Sequence, residues 1–494
     1  MRRPSPWVIF RSLRGRLPLL ALALGVVLPA APVPTASPPV RISAASPFAL
    51  CLPVEIEGQP VGGGFVNAEV EPRVAVNPAT IGTGHVNAVA VWQQDRWSSG
   101  GARGLMAGYS FDGGRTWKRS TLPFTACAPG GLAAQAASDP WVSIGPDGTV
   151  YAVGLTLAVV PPGRDVGVAA ATSSDGGRTW KNVQMVARDT AESSDKESVT
   201  ADPMHPGVAY VVWDRIGGNG GGQPLWFART LDGGRTWSEP SRIAAVSGET
   251  IGHQIVVDPR SDTLYDFYSR GAPLGAIYCQ PERENCSNPP ATGQMLVTRS
   301  TDMGLTWSSP RLIATFHEVG VGKSTGLQVR TGDRLPEAAI DRRTGRLYVI
   351  WQDSRFSAAK ADGIALSISS DGGAHWSKPR QIPSPPGLPA VTATLAVTQQ
   401  GVVGATFYTF RSGPNSMSGN FWFSRSTDQG QTFSKPLHLA GLFDLMLAPY
   451  ARGFFLGDYE GLAANGSAFV SVFVMTNARS TGNRTDVYAT RIQP

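Results

Sequence analysis

Histidine and cysteine are scarce in this 494-residue chain, with 6 and 4 copies. There is no C-x-x-C and no H-E-x-x-H, so neither common zinc signature is present, and the expected cofactor set is empty. Charged residues make up only 16% of the chain, which suits a mostly β protein with much shared interior. Net charge is missing too, once the N-terminus is set aside. Arg2, Arg3, Arg11, Arg14, Arg16 and Arg41 lie in residues 1–46, which contain no acid, and the remaining charges balance as 37 against 37. The formal +6 therefore argues for no nucleic-acid partner. A run long enough to span a bilayer is also lacking. The apolar stretch Leu17 to Leu28 is too short and follows a basic segment, so it reads as the core of an export signal. Its cleavage point is not marked cleanly; Ala30-Ala31 and Ser43-Ala-Ala45 are the candidates, and an uncleaved anchor is the competing reading.

The expected layout is a signal and Pro-rich linker over residues 1–46 and one domain over 47–494. The exported protein would be secreted, periplasmic or on the cell surface, monomeric, and without a membrane span when mature. Four cysteines fit an oxidising compartment. Cys279 and Cys286 share one loop and are expected to close it; Cys51 and Cys127 pair by elimination.

Against these absences stands one repeat. The pattern Ser-x-Asp-x-Gly-x-Thr-Trp occurs six times, with its aspartates at Asp112, Asp175, Asp232, Asp302, Asp371 and Asp428, a spacing of 57 to 70 residues. An aspartate followed by glycine can fold its carboxylate onto the N–H groups of a tight turn. The glycines supply positive φ. The closing Trp or Phe places a large apolar body between neighbouring units. Strand-like segments flank the motif, so each copy reads as a hairpin turn in a repeating unit.

These octapeptides resemble the Asp boxes, or BNR repeats, of the sialidase-like β-propellers. The resemblance implies an all-β propeller of four-stranded antiparallel blades. Six full units account for residues 72–440, and the tail 457–494 adds three strands. Seven blades are therefore favoured and six are the alternative. Phe48 to Ile56 is expected to pair with 486–492 and close the ring.

Strand directions put the Asp boxes on one face and the long loops on the other. The loop face is where function is expected. Near the starts of the first strands lie Glu71, Asp139, Glu197, His253 and Glu337, with Tyr459-Glu460 in the last unit. Near the ends of the second strands lie Arg96, Arg215, Arg355 and Arg411. Paired carboxylates suit glycoside cleavage, and arginine's planar fork suits a substrate carboxylate. The catalytic candidates are Glu197, Asp139, Glu337, Glu71, Tyr459 and Glu460. The binding candidates are Arg96, Arg215, Arg355, Arg411 and His253. The same acids could instead bind a rim Ca²⁺, and each Arg could instead pair with a neighbouring acid as scaffold. The family resemblance implies a glycan or glycoconjugate partner and a glycoside hydrolase of exo-α-sialidase type. The family's acid/base Asp is missing from the loop Trp97 to Ala102, and Arg73 precedes no Pro. A non-catalytic propeller for glycan or protein binding or assembly is the alternative.

Overall fold

The computed structural model describes residues 1, 33–51, 64–160, 163–190, 192–216, 224–243, 249–271, 291–322, 328–413, 416–478 and 484–494. Among them there is no α-helix, and no helix long and apolar enough to cross a membrane. Pro34–Pro494 forms one compact unit.

Antiparallel sheets follow one another along this unit. The first contains Glu69–Val76, Ala88–Arg96, Ala102–Ser110 and Lys118–Leu122. The second contains Ala136–Ile144, Val150–Val160, Gly163–Ser173 and Lys181–Ala187. The third contains Ser193–Ala201, Ala209–Ile216, Leu225–Thr230 and Ser241–Arg242. Glu249–Asp258 opens the fourth, Glu337–Asp341 the fifth and Ala390–Val397 the sixth, each a four-stranded sheet in sequence order. Gly461–Asn465, Ala468–Thr476 and Thr485–Gln493 form the last. The opening strands of successive sheets lie side by side, and Gly461–Asn465 returns to Glu69–Val76. They surround a channel of ≈ 330 Å³, lined by the opening strand of every sheet.

The fourth strand of the last sheet comes from the N-terminus, earlier than the sequence suggested. Thr35–Ala36 pairs with Ile492 and Gln493, and Val40–Arg41 pairs with Tyr488 and Ala489. Phe48 to Cys51 form turns instead, and residues 52–56 lie outside the described set. The physical reason is that the edge expected to receive Phe48 to Ile56 is already occupied. Sheet-forming residues thus begin inside the segment 1–46. Cleavage at Ala30-Ala31 would leave them on the body, and cleavage at Ser43-Ala-Ala45 would remove them. Cys51 and Cys127 form a disulfide. Cys279 and Cys286 lie outside the described residues.

The cores sit between sheets. Val89, Val91 and Leu105 of the first sheet pack on Val142, Val150 and Ala169 of the second. Tyr210, Val212 and Phe227 of the third pack on Ile255, Val257 and Leu264 of the fourth. Each Asp-box aromatic enters the core between its own sheet and the one before. Trp180 joins the first–second core, Trp237 the second–third, Trp307 the third–fourth, Trp376 the fourth–fifth and Phe433 the fifth–sixth. The glycine preceding the Trp by three lies against the earlier sheet. At Gly304, with φ +86, a Cβ would stand 2.2 Å from the Phe227 ring.

The Asp-box carboxylate organises its turn. Around Asp232, the Thr230 hydroxyl donates to Oδ1 over 2.9 Å, as does the Thr236 N–H over 2.9 Å. The Thr236 hydroxyl donates to Oδ2 over 2.7 Å, and the Gly234 N–H donates to Thr230 Oγ1 over 2.9 Å. The same N–H to hydroxyl bond closes all six boxes. All six are turns between third and fourth strands, which puts them at the end of the channel away from the acids described below.

Asp232→Ala removes three accepted hydrogen bonds and is expected to cost about 1 kcal/mol or more of stability. Burial works against ionisation of Asp232, but the Thr236 hydroxyl and N–H hold its carboxyl below the ordinary 3.8. Its contribution is therefore present above that pH and lost as pH falls through the depressed value. Urea titrations at neutral pH and at successively lower pH should show a deficit that is full at neutral pH and shrinks as pH falls below 3.8.

Candidate functional site

A β-bulge interrupts the opening strand in five sheets. Register jumps occur between Val70 and Arg73, Ser138 and Trp141, Asp195 and Ser198, Ile251 and Gln254, and Val391 and Thr394. In each bulge one residue takes the left-handed conformation: Glu71, Asp139, Lys196, Gly252 and Thr392, with φ of 54, 50, 49, 77 and 48. Non-glycine residues adopt this region only where the surroundings enforce it. A bulge re-aims side chains, and here the polar side chains of the first three meet.

Lys196 is the centre. Its Nζ lies 2.5 Å from Asp139 Oδ2, 2.8 Å from Asp458 Oδ2 and 3.6 Å from Glu71 Oε1. Arg330 approaches the same Asp458, its Nε donating to Oδ1 over 2.8 Å. Ser138 also donates to Asp139, and Gln93 to Glu71. All of these acids and Lys196 are buried. Burial alone would neutralise Lys196, but Asp139 and Asp458 hold it well above the ordinary ammonium range. Burial would raise Asp139 and Asp458; Lys196 for the first, and Arg330 with Lys196 for the second, keep both below the usual carboxylate range. Glu71 goes the other way. Burial and then the charge of Asp139 push it up to about 8.

A second pair crosses the ring. Arg73 of the first sheet holds Glu337 of the fifth in a fork, with Nη1–Oε1 2.6 Å and Nη2–Oε2 3.0 Å. The guanidinium also stacks on Trp141, 3.8 Å from the ring centre. Trp141 and Gln254 line both the channel and a cleft on the loop side, so they form part of the partition between them.

That cleft is lined by Trp141, Lys196, Glu197, Trp351, Asp458 and Tyr459 among others, and it has room for ≈ 30 Å³, about one water. Glu197 is 2% exposed, and neither carboxyl oxygen has a hydrogen-bond partner among the described residues. Burial, then the neighbouring Asp139 charge, push its carboxyl well above the ordinary range. Tyr459 packs edge-on to Trp141 at 5.3 Å and donates its hydroxyl to Pro140 O over 3.1 Å. Burial, then Glu71 and Asp139, push the phenol up. Glu460 lies deeper, fully buried, accepting from the Tyr408 hydroxyl over 2.8 Å.

The structure thus brings Glu71, Asp139, Glu197, Glu337, Tyr459 and Glu460 to one mouth. Of the four arginines it brings Arg96 there, close enough to feel the charges of Glu71, Asp139 and Asp458. Arg215 pairs with Asp189 over 2.8 Å and stacks on Trp226. Arg355 pairs with Asp353 over 2.6 Å. Arg411 is exposed on Val403–Gly413. Arg96 is buried beside Phe455, its Nη1 donating to Gln93 over 2.7 Å. Arg96, Arg215 and Arg355 thus each stand beside an acceptor or aromatic of their own neighbourhood. His253 is scaffold as well. Its ring lies between Asp266 at 2.8 Å and Asp214 at 3.1 Å, with no side-chain exposure. Burial would lower it, but the two carboxylates raise it to about 10 and keep it cationic. As for a rim Ca²⁺, no group of three or more His, Cys, Asp or Glu is arranged for a metal among the described residues. Lys196 and Arg73 fill the cationic role.

Sequence reasoning missed Arg330 and the part played by Trp141. Arg330 stands on the two-residue strand Val329–Arg330, which pairs with Phe454–Phe455 outside the repeat, where no periodicity marks it.

A BNR repeat-like domain model matches residues 207–441, and a BNR/Asp-box repeat model matches residues 109–119. The chain therefore carries BNR/Asp-box repeats. No curated protein matches this Asp-box chain. It is similar to the α-L-arabinanase of Penicillium chrysogenum, solved with arabinobiose, at 14% identity over 71% of this chain and 92% of that one, with a TM-score of 0.44. It is similar to the Hadza microbial sialidase at 14% identity over 81% and 76%, TM-score 0.44. A protein of unknown function from Dyadobacter fermentans matches at 11% identity over 88% and 96%, TM-score 0.45.

Two variants of the Asp-box protein test this electrostatic reading. Lys196→Met leaves Asp139 and Asp458 buried without their shared cation, and is expected to cost about 3–5 kcal/mol at neutral pH. The deficit should shrink as acid protonates the two carboxyls; an unchanged urea midpoint would show that the ammonium is not their counter-ion. Glu71 stays protonated in the folded state up to about 8, against an ordinary 4.5. The native state then binds the extra proton between these values, so Glu71 makes stability fall as pH rises through that window. Glu71→Gln should flatten the slope there, measured by thermal unfolding across pH.

Proposed function

We propose that this chain is an exported, glycan-directed glycoside hydrolase acting in the cleft around Glu197. One observation carries the reading. Glu197 is a nearly fully buried carboxyl that lines the cleft and has no hydrogen-bond partner among the described residues. A general acid must hold its proton at working pH and be within reach of substrate, and burial supplies the first condition. Asp458 lines the same cleft and is held ionised by Arg330 and Lys196. Two carboxyls driven to opposite protonation states are the usual division between acid and stabilising base or nucleophile. Glu197 would give its proton to the glycosidic oxygen as the bond to the anomeric carbon breaks. The Asp458 carboxylate would supply negative charge opposite the oxocarbenium-like centre, and water would then add to that carbon, giving its proton to the Glu197 carboxylate and restoring the acid. The Cys51–Cys127 disulfide supports an oxidising compartment, in keeping with export.

The exo-sialidase form of this reading further needs a cation for the sialic carboxylate. A non-catalytic binding role is the second reading. It is favoured by the pairing of Glu337 with Arg73, Asp139 with Lys196 and Glu460 with Tyr408, which makes those acids scaffold.

Glu197→Gln keeps shape and removes the titratable proton. It is expected to abolish turnover of aryl glycosides without lowering stability at neutral pH. Wild-type turnover should fall on the alkaline side as Glu197 loses its proton. Turnover retained by Glu197→Gln would remove it as the acid, and absence of turnover and binding in the wild type would remove the hydrolase.

A further inference from the structure

We propose that the cleft selects uncharged glycans over acidic ones. The inference rests on the glycan-directed reading above and concerns which glycan enters.

A site for a sugar acid needs a cation whose hydrogen bonds are free for the substrate carboxylate, commonly an arginine fork. Among the described residues lining the cleft, Lys196 is the one Lys or Arg, while Glu197, Glu337 and Asp458 are acids. Lys196 is already shared by three carboxylates and its side chain is only 8% exposed. Drawing it toward a ligand would leave Asp139 and Asp458 short of a buried counter-ion, a costly exchange. The neighbouring arginines are committed in the same way. Arg73 gives both Nη atoms to Glu337, and Arg330 gives Nε and Nη2 to Asp458. Arg96 stands behind, buried against Phe455 and bonded to Gln93. The His253 imidazolium is held between two aspartates with no exposed side chain. An entering carboxylate would meet the negative charges of Asp458 and Glu337 without a free partner, which discriminates against it.

What the cleft does offer suits a neutral sugar. Trp141, Trp351 and Tyr459 give apolar ring surface, and Gln254, Gln352 and Thr392 give neutral polar groups for hydroxyls. The cationic side chains serve to keep the acids in place, and their charge is spent inside the protein.

The test uses the whole exported chain and two matched probe sets. One is nitrophenyl arabinofuranoside, galactoside and glucoside; the other is nitrophenyl sialoside and glucuronide. Binding is measured by calorimetry on Glu197→Gln and cleavage on wild type. At least one neutral probe is expected to bind more than about tenfold tighter than either acidic probe, roughly 1.4 kcal/mol. Glu337→Gln, which frees the Arg73 fork and removes one carboxylate, should narrow that ratio by about tenfold. An acidic probe that binds or is cleaved as well as the best neutral one overturns the proposal and leaves the hydrolase reading standing. A well-folded Glu337→Gln protein with an unchanged ratio also overturns it. If neither probe set is bound or cleaved, the hydrolase reading falls and this proposal falls with it.

Discussion

A single buried ammonium holds the mouth of the channel together. Lys196 stands on the third sheet, Asp139 on the second, Glu71 on the first, and Asp458 just ahead of the last. The apolar cores join each sheet to its neighbours. The ion pairs do something those cores do not: they tie sheets that are not adjacent, across the axis. Arg73 to Glu337, from first sheet to fifth, is another such tie. Buried charge pairs are weak sources of net stability, because desolvation offsets much of their attraction. Their effect here is positional. Once Lys196 is fixed between Asp139 and Asp458, its neighbour Glu197 is fixed too, because the bulge gives the two residues one shared turn of backbone.

The two ends of the channel divide the labour. At one end the Asp boxes close each third-to-fourth strand turn with one hydrogen-bond pattern, His375 replacing the threonine in the fifth, and send an aromatic into the preceding interface. Their carboxylates are half-buried or exposed and strongly hydrogen-bonded; at Asp302 the Thr306 hydroxyl and N–H, with Ser300, bring the value to about 2. At the other end the carboxyls are buried, and several are pushed up rather than down. Repetition belongs to the first set, because every unit must solve the same turn problem. The second set differs from sheet to sheet, as residues that meet at one centre must.

This contrast explains what was legible in the sequence. The Asp boxes repeat, so the strand order, the hairpin placement and the inter-sheet aromatics could be read from spacing. The acids at the opening strands could be found only to within a residue or two, and the bulges explain why. An extra residue at Glu71, Asp139 or Lys196 breaks the alternation by which a strand's faces are read. The N-terminal strand was misplaced because Thr35–Ala36 and Val40–Arg41 are two-residue pairings in a Pro-rich stretch that carries no strand pattern. Arg215 and Arg355 looked like substrate ligands because they end strands beside an open face. Their partners, Asp189 and Asp353, are equally local, and nothing in sequence spacing separates a committed arginine from a free one.

The carboxyls at the mouth could not all be ionised together. Each buried charge without a partner costs several kcal/mol, and one lysine with nearby arginines cannot compensate five acids at short range. The cluster resolves this by splitting its members. Asp139 and Asp458, nearest the cations, stay charged. Glu71, Glu197 and Glu460 are pushed toward the protonated form. Two of these three are then used up by the structure, since Gln93 and the Asp458 N–H take Glu71, and the Tyr408 hydroxyl takes Glu460. Glu197 alone among them opens onto the cleft with its oxygens unassigned. A protonated carboxyl in that position is the consequence of packing the rest of the mouth, and it is also what glycoside cleavage requires of its acid. The same electrostatic balance that fixes the scaffold therefore leaves one carboxyl beside the cleft pushed toward its protonated form.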